Sequence, residues 1–384
     1  MDAELLRRTA EAGREVIEQL RMDVEINGKL LHLYNAGFKE GEKRFGLFAR
    51  DLFLSGFIMD DPDFLRRVVE FACLTQGREE DPRTGEEPGK VIHEYEHVEL
   101  RGRETRYNAS DTTQLALVAL GRLLEEGHED FVSSKVPCIR RGLDYLYEHI
   151  ENDIFWEDPT YCGADRFALR STYWKDDRLP NRDHPDYPVA YSLVQALTVA
   201  AFRAAADMAN SLDFDPSGSE LTETADRLVE ALFTVLWDEE TRSPAIARDE
   251  RGPITGVSSD ALHLLAYLEP EDVPREKLDR IVAAAELLET PYGFRTYAPE
   301  QTDYSPDSYH LGSVWPFEQY FIARAGRKFG RDSLIKEAGK ALRALDEHGF
   351  YELFGWDGEE IEPLGCDRQL WSACLPIGLQ RLID

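Results

Sequence analysis

Apolar residues recur at i, i+3, i+4 and i+7 along twelve stretches of this chain, and no other feature limits its fold as strongly. The stretches run near 3–22, 47–59, 62–76, 110–126, 130–152 and 188–212, then 219–237, 257–268, 274–289, 310–329, 332–348 and 367–383. Within the sixth, Leu193-Val194-Gln195-Ala196-Leu197-Thr198-Val199-Ala200-Ala201 is apolar on most sides, as in a helix buried all round. Ser110, Ser219 (with Thr222 and Glu223 nearby) and Pro274 read as helix starts. Alternating strand patterns are few, around 91–99 and 293–298. Short connections near 60–62, 127–130, 213–218, 269–273 and 330–331 alternate with long ones near 77–109, 153–187, 290–309 and 349–366. Loops of that length in a compact domain usually carry function. Six helical hairpins with their long loops gathered at one end make an (α/α)6 barrel. The expectation is therefore an all-α fold of about twelve helices, forming one domain across 1–384. An irregular α-solenoid is the alternative, but no repeat of fixed period supports it.

Charge narrows the partners. Against 44 Lys and Arg stand 74 Asp and Glu, a net −30 on a 42% hydrophobic background. The apolar share is enough for a sizeable core, while the charge repels phosphate backbones and anionic lipid. Nucleic-acid and membrane partners are thus not expected. The five cysteines are scattered, with no C-x-x-C pair, which fits a reducing compartment. The first residues lack the basic and apolar regions of a signal peptide, so a cytoplasmic protein is expected. The basic residues are 34 Arg to 10 Lys, and such an acidic, lysine-poor surface suggests a high-salt (halophilic) cytoplasm that screens carboxylate repulsion. The melting temperature is then expected to rise from low to molar salt; a flat or falling curve would rule the idea out.

The long loops are rich in carboxylates, aromatics and arginine. They hold Arg50-Asp51, His93-Glu94, Tyr107-Asn108 with Asp111, Tyr173-Trp174-Lys175-Asp176, Tyr309 to Trp315, Tyr351-Glu352 and Gln369 to Trp371. Aromatic faces beside charged hydrogen-bonding groups are what a sugar ring and its hydroxyls require. Glycoside hydrolysis needs one carboxyl that keeps its proton and one that is ionised. Asp176 follows Trp174, whose apolar wall would favour the neutral acid, and Glu352 lies between Tyr351 and Leu353 in a loop after a helix. They form the candidate catalytic pair, although this chemistry alone would also admit Asp177, Asp111 or Glu94.

These clusters, in this order, resemble the glucosidase (amylo-α-1,6-glucosidase) region of glycogen debranching enzymes, in the six-hairpin glycosidase superfamily. The similarity spans about residues 30–384. It rests on Arg50-Asp51, Tyr107-Asn108 with Asp111, and Tyr173-Trp174-Lys175-Asp176. Further along it rests on Gly293-Phe294-Arg295-Thr296, Tyr309-His310-Leu311-Gly312-Ser313-Val314-Trp315-Pro316, Glu352-Leu353-Phe354-Gly355 and Gln369-Leu370-Trp371-Ser372. The resemblance implies an (α/α)6 barrel and an inverting α-glucosidase without a cofactor, acting on an α-glucoside or α-glucan. By motif position Asp176 would be the general acid and Glu352 the general base. Arg50 and Asp51 would hold the non-reducing-end sugar, and Asp111, His310 and Trp315 would line the same pocket. Glu94, Trp174 and Trp371 complete the expected substrate contacts. Lys175 stands where that family more often has methionine, and Leu370 replaces a small residue, so the linkage stays open and a small compatible solute is a candidate substrate.

Other readings compete. His93-Glu94-Tyr95-Glu96-His97 spells the H-E-x-x-H zinc motif, which works when a helix brings both imidazoles to one face. Here the flanking residues are β-branched and favour an extended segment, where i and i+4 lie roughly 13 Å apart, too far for one metal. A sugar epimerase or phosphorylase on the same barrel would leave both carboxylate motifs unexplained, though His310 and His93 could serve an epimerase. A catalytically inactive carbohydrate-binding protein is the non-enzyme reading. Arg50-Asp51 could also be a helix-start charge pair, Trp315 and Trp371 could be core, and His263 reads as a satisfied core histidine.

Overall fold

The computed structural model describes residues 2–39, 46–96 and 98–383. Its α-helices are α1 (Ala3–Gln19), α2 (Ala49–Met59), α3 (Pro62–Thr75), α4 (Thr112–Glu125), α5 (Glu129–Ser133), α6 (Val136–Glu148) and α7 (Ser192–Leu212). They continue with α8 (Gly218–Thr234), α9 (Asp260–His263), α10 (Arg275–Ala284), α11 (Pro316–Lys328), α12 (Asp332–Ala338), α13 (Ala341–His348) and α14 (Leu370–Ile383). Six of them close an inner ring: α14 packs on α2, α2 on α4, α4 on α7, α7 on α9 and its following 3₁₀ turn, these on α11, and α11 on α14. Each inner helix is backed by an outer one: α2 by α3, α4 by α6, α7 by α8, α9 by α10, α11 by α12, and α14 by α1, from the other end of the chain. This is the (α/α)6 barrel. Side-chain patterning explains who goes where. Every residue of α2 is buried, whereas α8 buries one stripe of Leu221, Thr224, Ala225, Leu228, Ala231 and Leu232 and leaves its other face to water.

Several boundaries depart from the periodicity. The stretch near 130–152 divides into α5 and α6, with Pro137 in the first turn of the second. The stretch near 332–348 divides into α12 and α13, and 257–268 is the short α9 plus a 3₁₀ turn. Helix α11 starts only at Pro316, so His310 to Trp315 lie outside the helix expected there. The cap of α8 is Ser217, not Ser219: its hydroxyl accepts from the Glu220 N–H while the Glu220 carboxylate accepts from the Ser217 N–H. Strands are more numerous than expected. They include the hairpin Arg21–Ile26 with Lys29–Tyr34 and a three-stranded piece of Ala190–Tyr191, Ala247–Asp249 and Gly252–Ile254. Among the described residues no helix is long and apolar enough to cross a membrane. Because the six inner helices run the same way, their N-terminal ends share one mouth of the barrel, and the long loops cross it.

Candidate active site

A cavity of about 300 Å³ opens at that mouth. It is lined by Arg50, Asp51, Glu94, Trp174, Asp176, His310, Trp315, Glu352 and Trp371, every expected site residue except Asp111. The residues come from four helix starts and the loops between them. Arg50 and Asp51 open α2, Trp315 caps α11, Trp371 opens α14, and Asp111 caps α4. Asp111 stands behind the cavity wall, where it accepts from Arg50 Nε at 2.8 Å. Tyr107 and Asn108 also stay outside, because the Tyr107 hydroxyl donates to the Thr75 carbonyl and the Asn108 amide ties the 84, 104 and 168 loops together.

Arg50 organises one side. Besides Asp111, its guanidinium donates to Asp176 Oδ2 at 3.1 Å and to the Thr172 carbonyl at 2.9 Å, and it approaches His93 Nε2 at 3.4 Å. Burial pushes the Asp176 carboxyl up to about 6 against the pull of Arg50, with Asp111 and Glu352 adding their negative fields. Burial likewise raises Glu352, but the Tyr309 hydroxyl at 2.5 Å and the Cys366 backbone N–H at 3.1 Å donate to its two oxygens and favour the ionised form. Gly365, at φ +76°, leaves that second oxygen its space, because a Cβ there would clash with the Glu352 carboxylate. Asp51 accepts from Gln369 Nε2 at 3.1 Å. Burial raises it well above the ordinary carboxylate range, against Arg50 and with Glu352 and Asp176 reinforcing the rise.

The remaining polar atoms are arranged to meet a ligand. Glu94 Oε1 accepts from the Thr105 hydroxyl and the Val98 N–H, while its Oε2 has no partner among the described residues, and burial pushes the carboxyl up to about 7. The Asp177 N–H donates to His310 Nδ1 at 3.4 Å, which leaves the imidazole proton on Nε2, again without a partner among the described residues. Burial, followed by Lys175 and Arg50, holds His310 neutral. Its ring stacks on Trp315 at 5.1 Å, and Trp371 stacks on Phe317 at 4.1 Å. Val98, Leu100 and Leu169 form an apolar lip. Off the cavity lining, Arg101, Arg166 and Arg170 gather around His184, where burial first and then these three guanidiniums lower the imidazole.

The same contacts bear on the zinc motif. Residues 88–96 are not helical, and Glu94 bridges to Phe48 as an extended residue. His93 Nδ1 faces the Thr105 carbonyl and its Nε2 faces a guanidinium, so neither nitrogen is offered to a metal. His97 lies outside the described residues. Among those described, no three His, Cys, Asp or Glu are grouped to hold a metal ion. His263 is a core histidine as expected, 3.3 Å from the Tyr267 hydroxyl.

The mannosylglycerate hydrolase MGH1-like glycoside hydrolase domain matches residues 56–372, most of the chain. The protein belongs to that family. It is a glycoside hydrolase by family, and the family is not the debranching one that its motifs resemble, although the six-hairpin architecture is common to both. Among solved structures, the GH63 mannosylglycerate hydrolase from Thermus thermophilus in complex with Tris superposes with a TM-score of 0.70 at 15% identity, covering 97% of this chain and 100% of the other. The same hydrolase with Tris and D-glycerate gives 0.69 at 16%, over 98% and 100%. A rhamnosidase from Klebsiella oxytoca with rhamnose bound gives 0.63 at 14%, over 99% of this chain and 64% of that one. At such identities the likeness is one of fold. No curated protein matches the chain. The family match begins after Arg50 and Asp51.

Several lining residues are not singled out by the sequence as site residues. Tyr309 and Gln369 sit inside quoted motifs, and the signal that could have found them is their position beside His310 and Trp371. Thr105, Val98 and Leu100 carry no local signal at all, because only the fold brings them to the cavity, the first two beside Glu94.

Proposed function

We propose that this glycoside hydrolase cleaves the α-glycosidic bond of a small, negatively charged glycoside with inversion, in one catalytic domain spanning 1–384. Asp176 protonates the glycosidic oxygen as its bond to the anomeric carbon breaks. Glu352 takes a proton from the water that attacks the opposite face of the ring. The observation that carries this reading is two carboxyls, brought by separate loops, lining one cavity in unlike surroundings. Asp176 is held up at about 6 and keeps a share of its proton near neutrality, while Glu352 receives donors on both oxygens and is favoured as the base. Arg50, Asp51, Glu94 and the His310 Nε2–H are the groups left to grip sugar hydroxyls, with Trp174, Trp315 and Trp371 as the apolar wall.

The substrate class rests on size and on the family. About 300 Å³ is at the small end for ligand pockets and suits one sugar with a short aglycone. The Thermus thermophilus relative is a mannosylglycerate hydrolase with D-glycerate in one of its structures, and the family model that matches this chain is named for the same activity, which supports a glycerate-type aglycone. The α-1,6-glucosidase activity of debranching enzymes would use the same two carboxyls but needs room for a glucan. The test is a panel of mannosylglycerate, glucosylglycerate, isomaltose, panose and trehalose, with the first anomer released followed by NMR. Turnover of a glycerate glycoside with the β-anomer appearing first is expected. The α-anomer appearing first would overturn inversion, and turnover of isomaltose and panose alone would move the reading to branch points.

A further inference from the structure

One buried carboxylate outside the cavity touches three consecutive side chains of the loop that delivers Asp176. Asp260, the first residue of α9, is buried and does not line the cavity. Its Oδ2 accepts from the Tyr173 hydroxyl at 3.0 Å, and its Oδ1 accepts from Trp174 Nε1 at 3.1 Å. The same Oδ1 lies 3.1 Å from Lys175 Nζ. Lys175 is itself buried and donates to Ser258 Oγ at 2.7 Å, Ser259 Oγ at 3.1 Å and the Thr296 carbonyl at 3.1 Å. The three tethers therefore converge on the turn at the start of α9, immediately before the acid in sequence. Asp176 has little else to fix it, since among the described residues its side-chain hydrogen bond is the one from Arg50 to Oδ2. Trp174, once pinned by its Nε1, packs edge-on against Phe317 at 5.1 Å, His310 at 5.4 Å and Trp315 at 5.6 Å, so the tether also sets the wall beside the acid. A buried ion pair such as Lys175–Asp260 gains little stability over an apolar pair of the same size, whereas it does fix geometry.

We infer that Asp260 is the positioning residue of the general acid: through Tyr173, Trp174 and Lys175 it holds the loop so that the Asp176 carboxyl meets the glycosidic oxygen. This rests on Asp176 being the acid, and the experiment separates the two ideas. Mannosylglycerate and glucosylglycerate release an alkoxide that must be protonated; α-mannosyl and α-glucosyl fluoride release fluoride, which does not require it. Asp260→Asn is expected to lower kcat on the glycerate glycoside by about 100-fold, the usual consequence of a misplacement near 1 Å, with KM little changed. The rate on the matching fluoride should stay within a few-fold of the parent. In an Asp176→Asn background the same substitution should cost nothing further. Tyr173→Phe removes one tether with less disturbance, so it carries the test if Asp260→Asn does not fold; a smaller loss, again confined to the glycerate glycoside, is expected. Equal losses on both substrate types would reduce Asp260 to a structural role and overturn the inference while leaving Asp176 as the acid. Full activity of Asp176→Asn on the glycerate glycoside would overturn the acid assignment and this inference with it, and a parent inert towards all four compounds would overturn the proposed function on which both rest.

Discussion

Glu352→Gln and Asp176→Asn are each expected to lower kcat on an O-glycoside by about 10²–10⁴-fold, the contribution of a positioned acid or base. Neither should lower the melting temperature. Both side chains face a cavity already crowded with Asp51 and Glu94, and each substitution keeps shape while removing a negative charge from that crowd. The sign for Asp176 follows from linkage. A carboxyl raised to about 6 in the folded protein binds its proton more tightly there than in the unfolded chain. Its ionisation thus costs nothing below the unfolded value near 4, costs progressively more as pH rises, and costs the full amount above about 6. Asp176→Asn should therefore be at least as stable as the parent above pH 6, with the two converging at low pH. Catalysis by the parent should fall as pH rises through about 6, because the acid is then lost. Thermal melts and pH–rate profiles of the three proteins check this, and near-parental turnover by either variant would remove that residue from its role.

The barrel is legible because burial on most sides and burial of one stripe leave different sequence patterns. The run from Leu193 to Ala201 reads as an inner helix without any tertiary knowledge, and it is one. The hairpin at 21–34 has a local signal too, hidden by the helical periodicity that runs through to residue 22. Asn27-Gly28, both with positive φ, joins strands of alternating character, the strongest short-range hairpin signal there is. The site is legible as a set of clusters, since aromatics and carboxylates crowd the loops, and the fold brings those clusters to one cavity.

Roles within the set are less legible. Asp111 and Arg50 carry equal weight in the motifs, yet Arg50 lines the cavity and Asp111 stands behind it. Asp260 sits in a stretch that reads as an apolar helix, and its link to the Trp174 loop spans 86 residues that no local pattern encodes. Lys175, a departure from the resembled family, is the partner that makes the link ionic. Such juxtapositions depend on which loops meet, and the order of residues along the chain does not state that.

Arg50→Met is expected to be the most damaging single change to stability. The guanidinium is almost fully buried and lies between Asp111 at 2.8 Å and Asp176 at 3.1 Å, with the Thr172 carbonyl as a third acceptor. Methionine fills part of its volume but leaves the buried Asp111 and the partly exposed Asp176 without their shared counter-charge. Removing one partner of a buried pair usually costs about 3–5 kcal/mol. The cost should depend on pH in a definite direction. Without Arg50 both carboxyls rise further above their ordinary values, so the penalty is largest where they would otherwise be ionised and shrinks as pH falls and they take up protons. The gap in melting temperature between parent and variant should be wide at pH 8 and narrow at pH 5. An equal gap at both would mean that Arg50 matters for its packing and not for its charge. The same logic moves catalysis: with the pull of Arg50 gone, Asp176 keeps its proton to higher pH, so whatever activity survives should extend further into the alkaline range than that of the parent.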